Sequence, residues 1–394
     1  MKFHPPSHSV FAAARASSGY KYWMVCGQLA NQSAGLQGLA EAGRSLHLSA
    51  DVIPQLLTQL TQLSTFIFHR FYITLGRRKS FAGNVSHPSV HLASVVIMTT
   101  GVFKYIDPAS YDPQATEPFK KPWGKVDGPG SSYTLIDKTR TVENIRGRES
   151  EFSTDNSGFA VYNSPSKENN FNDASWVTTN YYAQVEDLLR EKLPGIKKVV
   201  LFDHTIRRRE KSSPRAPVQL VHVDQTPWAA EQRVRRHLPS DEVEDLLKKR
   251  YQIINVWRPI DNPATDFPLA VIDWRSMAES DFVKVDLLYP KDATTGPGGE
   301  KPQAPDSSSS TEGYEAKGET YSIAPNEAHR FYYQKDMRPD EAMFIKCFDS
   351  RSQTMTGTTG IAHGAGHTAF LDPQTPEDAP PRQSIEVRCL VFYE

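Results

Sequence analysis

Val221-His222-Val223-Asp224-Gln225-Thr226-Pro227 is the stretch on which the reading of this 394-residue chain turns. Side chains at i and i+2 of a β-strand project from one face, so His222 and Asp224 can converge on a single metal ion. The triplet is the only H-x-[DE] in the sequence. With 12 His and 46 acidic residues, chance alone supplies about one such triplet, so it needs a third ligand from elsewhere to carry weight.

His367, in Gly366-His367-Thr368-Ala369-Phe370, lies on a candidate strand far downstream. Two histidines and one carboxylate covering one face of an octahedron are the ligand set of non-heme Fe(II) oxygenases. His363 competes for the third position. Its neighbours Gly364, Ala365 and Gly366 give it a conformationally loose setting, which favours His367. Fifteen residues beyond His367, Arg382 and Ser384 share a face if a strand begins there, and Arg388 falls in the same register. A guanidinium beside a hydroxyl suits a carboxylate of a dicarboxylate cosubstrate. The alternative is an Arg-Glu-Arg ladder through Glu386 on a solvated face, with Ile385, Val387, Cys389 and Val391 packed behind it, and the spacing leaves both open.

Around these residues short β-branched and aromatic runs dominate after residue 196: Lys198 to Phe202, Tyr251 to Trp257, Leu269 to Asp273, Met343 to Phe348 and Ile385 to Phe392. This predicts a mainly β fold with flanking helices, a barrel or sandwich rather than a doubly wound sheet. One helix is predicted from a Thr178-Thr179-Asn180 cap to Pro194-Gly195, and a second from Ser240. In the strand Tyr251 to Trp257, Asn255 either lines a pocket or satisfies buried backbone. Asp203-His204 with Arg207-Arg208-Arg209 is read as a solvated turn rather than as a basic patch for an acidic substrate.

Composition changes near residue 107: Glu41 and Asp51 are the only acids before it. Residues 1–95 are therefore expected to be an atypical, weakly structured extension, and 96–394 one folded domain. Within that domain Thr294 to Gly318, rich in Gly, Pro and Ser, is expected to be a disordered surface insertion. Forty-five Lys+Arg against 46 Asp+Glu give a net charge of -1, which argues against a nucleic-acid or membrane partner. The apolar stretch Val52 to Leu75 is interrupted by Pro54, three Gln, His69 and Arg70, so no spanning helix is expected. Three scattered cysteines point to a reducing compartment. The expected location is cytoplasmic, or mitochondrial if the Arg- and Ser-rich start is a transit peptide.

Taken in order, Phe103 to Pro108, Asn144 to Glu149, Asp155 to Phe159, Asp203 to Arg209, His222 to Pro227, Asn255 to Ile260, Lys346 to Ser350, His367 to Pro373 and Pro381 to Arg388 resemble the fungal hydroxylase/desaturase family of secondary metabolism. That family includes gibberellin-desaturase-like enzymes and the novofumigatonin endoperoxidase, and is related to a bacterial cephalosporin 7α-methoxylation component. The resemblance implies a double-stranded β-helix, or jelly roll, that binds Fe(II) and 2-oxoglutarate and uses O2 to hydroxylate or desaturate a small-molecule substrate. It also implies His222, Asp224 and His367 as iron ligands and Arg382 with Ser384 as the cosubstrate clamp, with a homodimer left open. Two other classes stay in view: a jelly-roll binding protein with an idle metal, and a metal-dependent isomerase or hydrolase that uses no 2-oxoglutarate.

Overall fold

The structure, a computed structural model, describes residues 97–112, 121–126, 130–166, 170–209, 217–291, 310–352 and 360–394, together with the backbone of three earlier strands. The chain divides into two units, Met1–Met98 and Thr99–Glu394. In the first, β1 (Ser9–Arg15), β2 (Tyr20–Gly27) and β3 (Leu75–Arg77) pair antiparallel in that order. The rest of the extension expected over 1–95 lies outside the described residues.

The second unit is built on two sheets. The strands are β4 (Met98–Ile106), β5 (Trp123–Lys125), β6 (Leu135–Asn144), β7 (Phe159–Asn163), β8 (Ile196–Arg208), β9 (His222–Val223), β10 (Tyr251–Pro259), β11 (Leu269–Ile272), β12 (Phe282–Pro290), β13 (Tyr314–Ile323), β14 (Phe331–Tyr333), β15 (Glu341–Asp349), β16 (His367–Ala369) and β17 (Gln383–Tyr393). One sheet has the order β7-β15-β10-β17-β8, and the other β4-β6-β14-β11-β16-β9-β13-β12-β5. Alternation sorts each strand. Ile253 and Trp257 of β10, Ile345 of β15 and Leu390 of β17 share a core with Leu269, Val271 and Tyr332 of the larger sheet. The residues between them, Ile254, Val256, Val387, Cys389 and Val391, form a second core with Val185, Leu188 and Leu189 of α1 (Tyr182–Lys192). This is the layered packing of a jelly roll, with a helix covering the outer side of the smaller sheet.

The helical stretch leading into α1 begins earlier than the Thr178 cap predicts. Asp173 caps it instead, accepting from the Ser175 and Trp176 amides at 2.9 and 3.2 Å. Thr178 is inside the helix, its hydroxyl donating back to the Ala174 carbonyl at 3.0 Å. Gly195, at φ 81°, ends the segment in the left-handed conformation that glycine accepts most readily. Two further helices, α2 (Pro227–His237) and α3 (Ser240–Leu247), follow the H-x-D strand. Among the described residues no helix is long and apolar enough to cross a membrane.

Two other expectations need correction. The insertion expected over 294–318 ends sooner, because Tyr314–Gly318 open β13 and pair with β12, and Tyr314 is buried with Trp123 and Leu288. The aromatic ring supplies apolar burial that the composition of the stretch as a whole conceals. Asp203 to Arg208 is not a turn but the second half of β8, paired with β17 as far as Gln383↔Arg208. That pairing holds a β-bulge: Arg388 faces Asp203 while Cys389 faces Leu201, so Phe202 is an extra residue. Before the bulge Val200 packs on the inter-sheet core; after it, odd-numbered residues take the inner face.

Candidate active site

The inner face of the larger sheet supplies the two histidines. β9 and β16 are antiparallel neighbours with His222 directly opposite His367, and the rings lie 4.4 Å apart between centroids. Each ring is anchored in the same way, its Nδ1 against the carbonyl two residues earlier: Leu220 O at 2.7 Å for His222 and Ala365 O at 3.1 Å for His367. Both Nε2 atoms are left to face Asp224, whose Oδ1 is 3.3 Å from that of His222 and 4.0 Å from that of His367. The three ligand atoms lie within 4.8 Å of one another, the one such cluster among the described residues. Adjacent ligands on a six-coordinate metal with bonds near 2.1 Å are about 3 Å apart, so the set fits one ion with little movement. His367 is buried, whereas the His222 and Asp224 side chains are 18% and 15% exposed, which leaves one side of the site open.

The smaller sheet supplies the support. Asn255 of β10 donates from Nδ2 to Asp224 Oδ2 at 2.7 Å, and Arg388 of β17 donates from Nε to the same oxygen at 3.3 Å. The rest of the Arg388 guanidinium is held by Asp203 at 2.7 Å, Thr205 at 3.1 Å and Glu386 at 2.8 Å. Burial alone would raise the Asp224 carboxyl. The His222 hydrogen bond and the charges of Arg388 and His367 outweigh that and hold it well below the usual range, so it stays ionised as a ligand. Burial, and then the neighbouring His222, push His367 down to about 4 and keep it neutral, as a metal ligand must be. Glu386 is raised chiefly by burial, against the opposing charges of Arg388 and Arg207.

Arg382 and Ser384 are buried at the start of β17. The Arg382 guanidinium spends one donor on the Phe267 carbonyl at 2.7 Å and lies 5.8 Å from the centre of the Trp257 ring. Its Nε is buried without a partner, and among the described residues it forms no ion pair. Burial, then the charge of Arg207, pushes it down to about 9. A buried cation left in this state fits an incoming carboxylate. The Arg388 face is thus neither a solvated ladder nor a free clamp: its donors are committed to protein groups around Asp224.

His363 is tightly held rather than loose. Its ring is buried among Phe282, Tyr321 and Phe348 at 6.5, 6.3 and 5.4 Å, apart from the metal cluster. The glycines beside it allow close approach: a Cβ on Gly364 would stand 2.9 Å from Val223 Cγ1, between His222 and Asp224 in sequence. Sequence reasoning missed the roles of Asp203 and Thr205, whose polar segment it read as a turn, and left the role of Asn255 undecided, although its polarity on an apolar strand was the signal.

A family model described as an oxidoreductase/YMDC permease-like domain matches residues 103–392. The hydroxylase/desaturase efuI of Hormonema carpetanum is 32% identical over 269 residues, which is 64% of this chain and 83% of that protein. The Fe(II)/2-oxoglutarate-dependent dioxygenase nvfI of Aspergillus novofumigatus is 33% identical over 223 residues, 56% of this chain and 69% of that one. A solved structure of the iron and alpha-ketoglutarate-dependent endoperoxidase NvfI superposes with a TM-score of 0.60 at 26% identity, covering 75% of this chain and 98% of its own. With a family model spanning residues 103–392 and a relative aligned over 83% of its length, the chain belongs to the hydroxylase/desaturase family of fungal oxidoreductases.

Proposed function

We propose that the protein is an Fe(II)/2-oxoglutarate-dependent dioxygenase that hydroxylates or desaturates a small organic metabolite of secondary metabolism, with His222, Asp224 and His367 as the iron ligands. The observation that carries this is the convergence of two backbone-anchored imidazoles and one ionised carboxylate on a partly open site. When bound, Fe(II) with 2-oxoglutarate and O2 supplies the oxidant that removes hydrogen from the substrate. The chain's own residues do the rest. The two Nδ1 contacts fix ring orientation, Asn255 and Arg388 hold Asp224 ionised and aimed, and Arg382 with Ser384 receives the distal carboxylate of the cosubstrate. Arg388 serves Asp224 rather than the cosubstrate, since its donors already meet Asp203, Thr205, Glu386 and Asp224.

Family membership supports this reading over an idle metal-binding jelly roll or a hydrolase. The balanced charge supports a small-molecule substrate over a polyanion. The test is direct. Protein reconstituted with Fe(II) should convert 2-oxoglutarate to succinate slowly in the absence of its main substrate. Under anaerobic conditions it should show a visible charge-transfer band only when both Fe(II) and 2-oxoglutarate are present. Iron binding with neither signal would overturn the reading.

A further inference from the structure

We propose that Phe202, gripped by Arg233 and His237 of α2, is a positioning residue for the metal site: the grip fixes the register in which β8 presents Asp203 and Thr205 to Arg388, and through Arg388 it holds the carboxylate of Asp224. The inference deepens the reading above and rests on its assignment of Asp224 as a metal ligand. Phe202 is the residue that the β8–β17 pairing leaves over, since Arg388 faces Asp203 while Cys389 faces Leu201. A bulge disrupts the ladder locally, so the extra residue needs a hold of its own. Here that hold is aromatic. The Phe202 ring stacks on the His237 imidazole, with centroids 4.9 Å apart and planes 21° from parallel, and the Arg233 guanidinium lies 5.5 Å from the ring centre. Arg233 and His237 are one turn apart on α2, so both reach the ring from one face of the helix. A stacked imidazole and a cation over a π-face each need a flat ring between them, which no aliphatic side chain supplies.

These contacts close a circuit that begins and ends at Asp224. Just after this ligand, Thr226 caps α2, accepting from the Ala229 amide at 3.2 Å. The helix then carries Arg233 and His237 to Phe202. The next residue, Asp203, accepts from Arg388 at 2.7 Å, Thr205 accepts from the same guanidinium at 3.1 Å, and Arg388 returns to Asp224 at 3.3 Å. The helix that starts beside the metal ligand therefore also holds the strand whose acid orients the arginine bound to that ligand. Burial shows where the phase of β8 changes. Val199 and Leu201 pack in the core beneath α1, whereas Val200 and Phe202 pack on the core between the sheets. Asp203 follows Phe202 on that inner side, where Arg388 meets it. If Phe202 entered the ladder, Arg388 would keep Glu386 on its own strand but lose both acceptors from β8, and Asp224 would keep Asn255 beside a guanidinium no longer fixed.

The test is calorimetric titration of the full chain with Mn(II), using replacements that separate ring contact from core filling. Phe202→Leu, which fills the space but offers no aromatic face, should weaken Mn(II) binding about 10-fold, the lower end of the range for groups that orient a metal ligand. Phe202→Tyr, which keeps the ring, should stay within about twofold of the unaltered protein. In an Arg388→Met background the loss should vanish, Phe202→Leu then changing affinity by less than about twofold, because a residue that acts through Arg388 has nothing left to position. A loss of the same size in that background, or equal affinities for the Leu and Tyr variants, would overturn the proposal and leave Phe202 with a packing role alone. If Phe202→Leu does not fold, as judged by far-UV dichroism, Arg233→Gln combined with His237→Leu removes the grip from the helix side and takes its place in the same cycle. Failure of the unaltered protein to bind Mn(II) would instead sink the metal-site reading, and this inference with it.

Discussion

The Asn255 side chain, from the centre of one sheet, donates to Asp224 Oδ2 at 2.7 Å, while Asp224 Oδ1 faces His222 at 3.3 Å on the other. The two sheets therefore meet at one carboxylate, with one oxygen assigned to support and the other to the metal. Asn255→Leu removes that donor while keeping volume, and should weaken Mn(II) or Fe(II) binding about 10- to 100-fold, as is typical for loss of a group that orients a ligand. Arg388→Met should do the same and also release Glu386 and Asp203. Metal titration followed by calorimetry checks both variants, and affinity equal to the unaltered protein would show that Asp224 needs no second sheet.

Replacing His222, Asp224 or His367 by Ala should abolish Fe(II) binding and turnover with little change in far-UV dichroism. His363→Ala should keep metal affinity, since its ring is packed among Phe282, Tyr321 and Phe348. Loss of iron in His363→Ala with retention in His367→Ala would reverse the assignment.

Arg382→Ala should weaken 2-oxoglutarate binding by roughly 2 to 4 kcal/mol, the range for a desolvated charge-assisted contact. Arg382→Lys should be nearly as damaging, because an ammonium cannot present the planar fork that reaches both the Phe267 carbonyl and a carboxylate. The same titrations in the presence of Mn(II) report both.

Asp349 anchors a buried network, receiving Arg250 at 2.7 Å, Lys346 at 2.8 Å and Gln252 at 2.6 Å. Burial opposes its ionisation, yet Arg250, Lys346 and Gln252 prevail and bring it down to about 2 from an ordinary 3.8. A carboxylate lowered on folding adds stability above its unfolded value and loses it as pH falls. This group should therefore contribute about 2 kcal/mol at neutral pH, lost progressively between about pH 4 and 2. Asp349→Asn should flatten that part of the stability profile in denaturant titrations; an unaltered slope would mean that other groups set it.

Lys291 N donates to Gly313 O at 2.8 Å, so the two ends of the β12–β13 connection are already adjacent. Replacing residues 294–309 by a short Gly/Ser bridge should leave Tm nearly unchanged. Extending the deletion to Gly318 should lower it markedly, because it removes the pairing of Tyr314 to Gly318 with β12 and the burial of Tyr314. A protein starting at Thr99 should fold and retain metal binding, as expected if the second unit carries the whole site.

Much of the site was legible because strand alternation is local. His222 with Asp224, and Arg382 with Ser384, are separated by two residues, and that spacing needs no knowledge of the partner strand. The histidine contributed by β16 was legible only as a candidate, because nothing local says which distant strand lies opposite His222. Asp203 to Arg209 was read as a turn for a different reason: its charged residues end the apolar run at Phe202, and composition does not show that the strand continues through a bulge there. Composition likewise averaged Tyr314 into its polar surroundings.

The extra residue at Phe202 makes the polarity of β8 a matter of pairing rather than of composition. If Phe202 were instead paired regularly within the thirteen-residue strand, every downstream residue would keep its identity yet half the strand would turn over. His204, Ile206 and Arg208 would be presented toward the metal, and Asp203, Thr205 and Arg207 toward Val185 and Leu188 of α1. Removing Phe202 altogether would not have that effect, because the shortened strand alternates regularly and still brings Asp203 opposite Arg388.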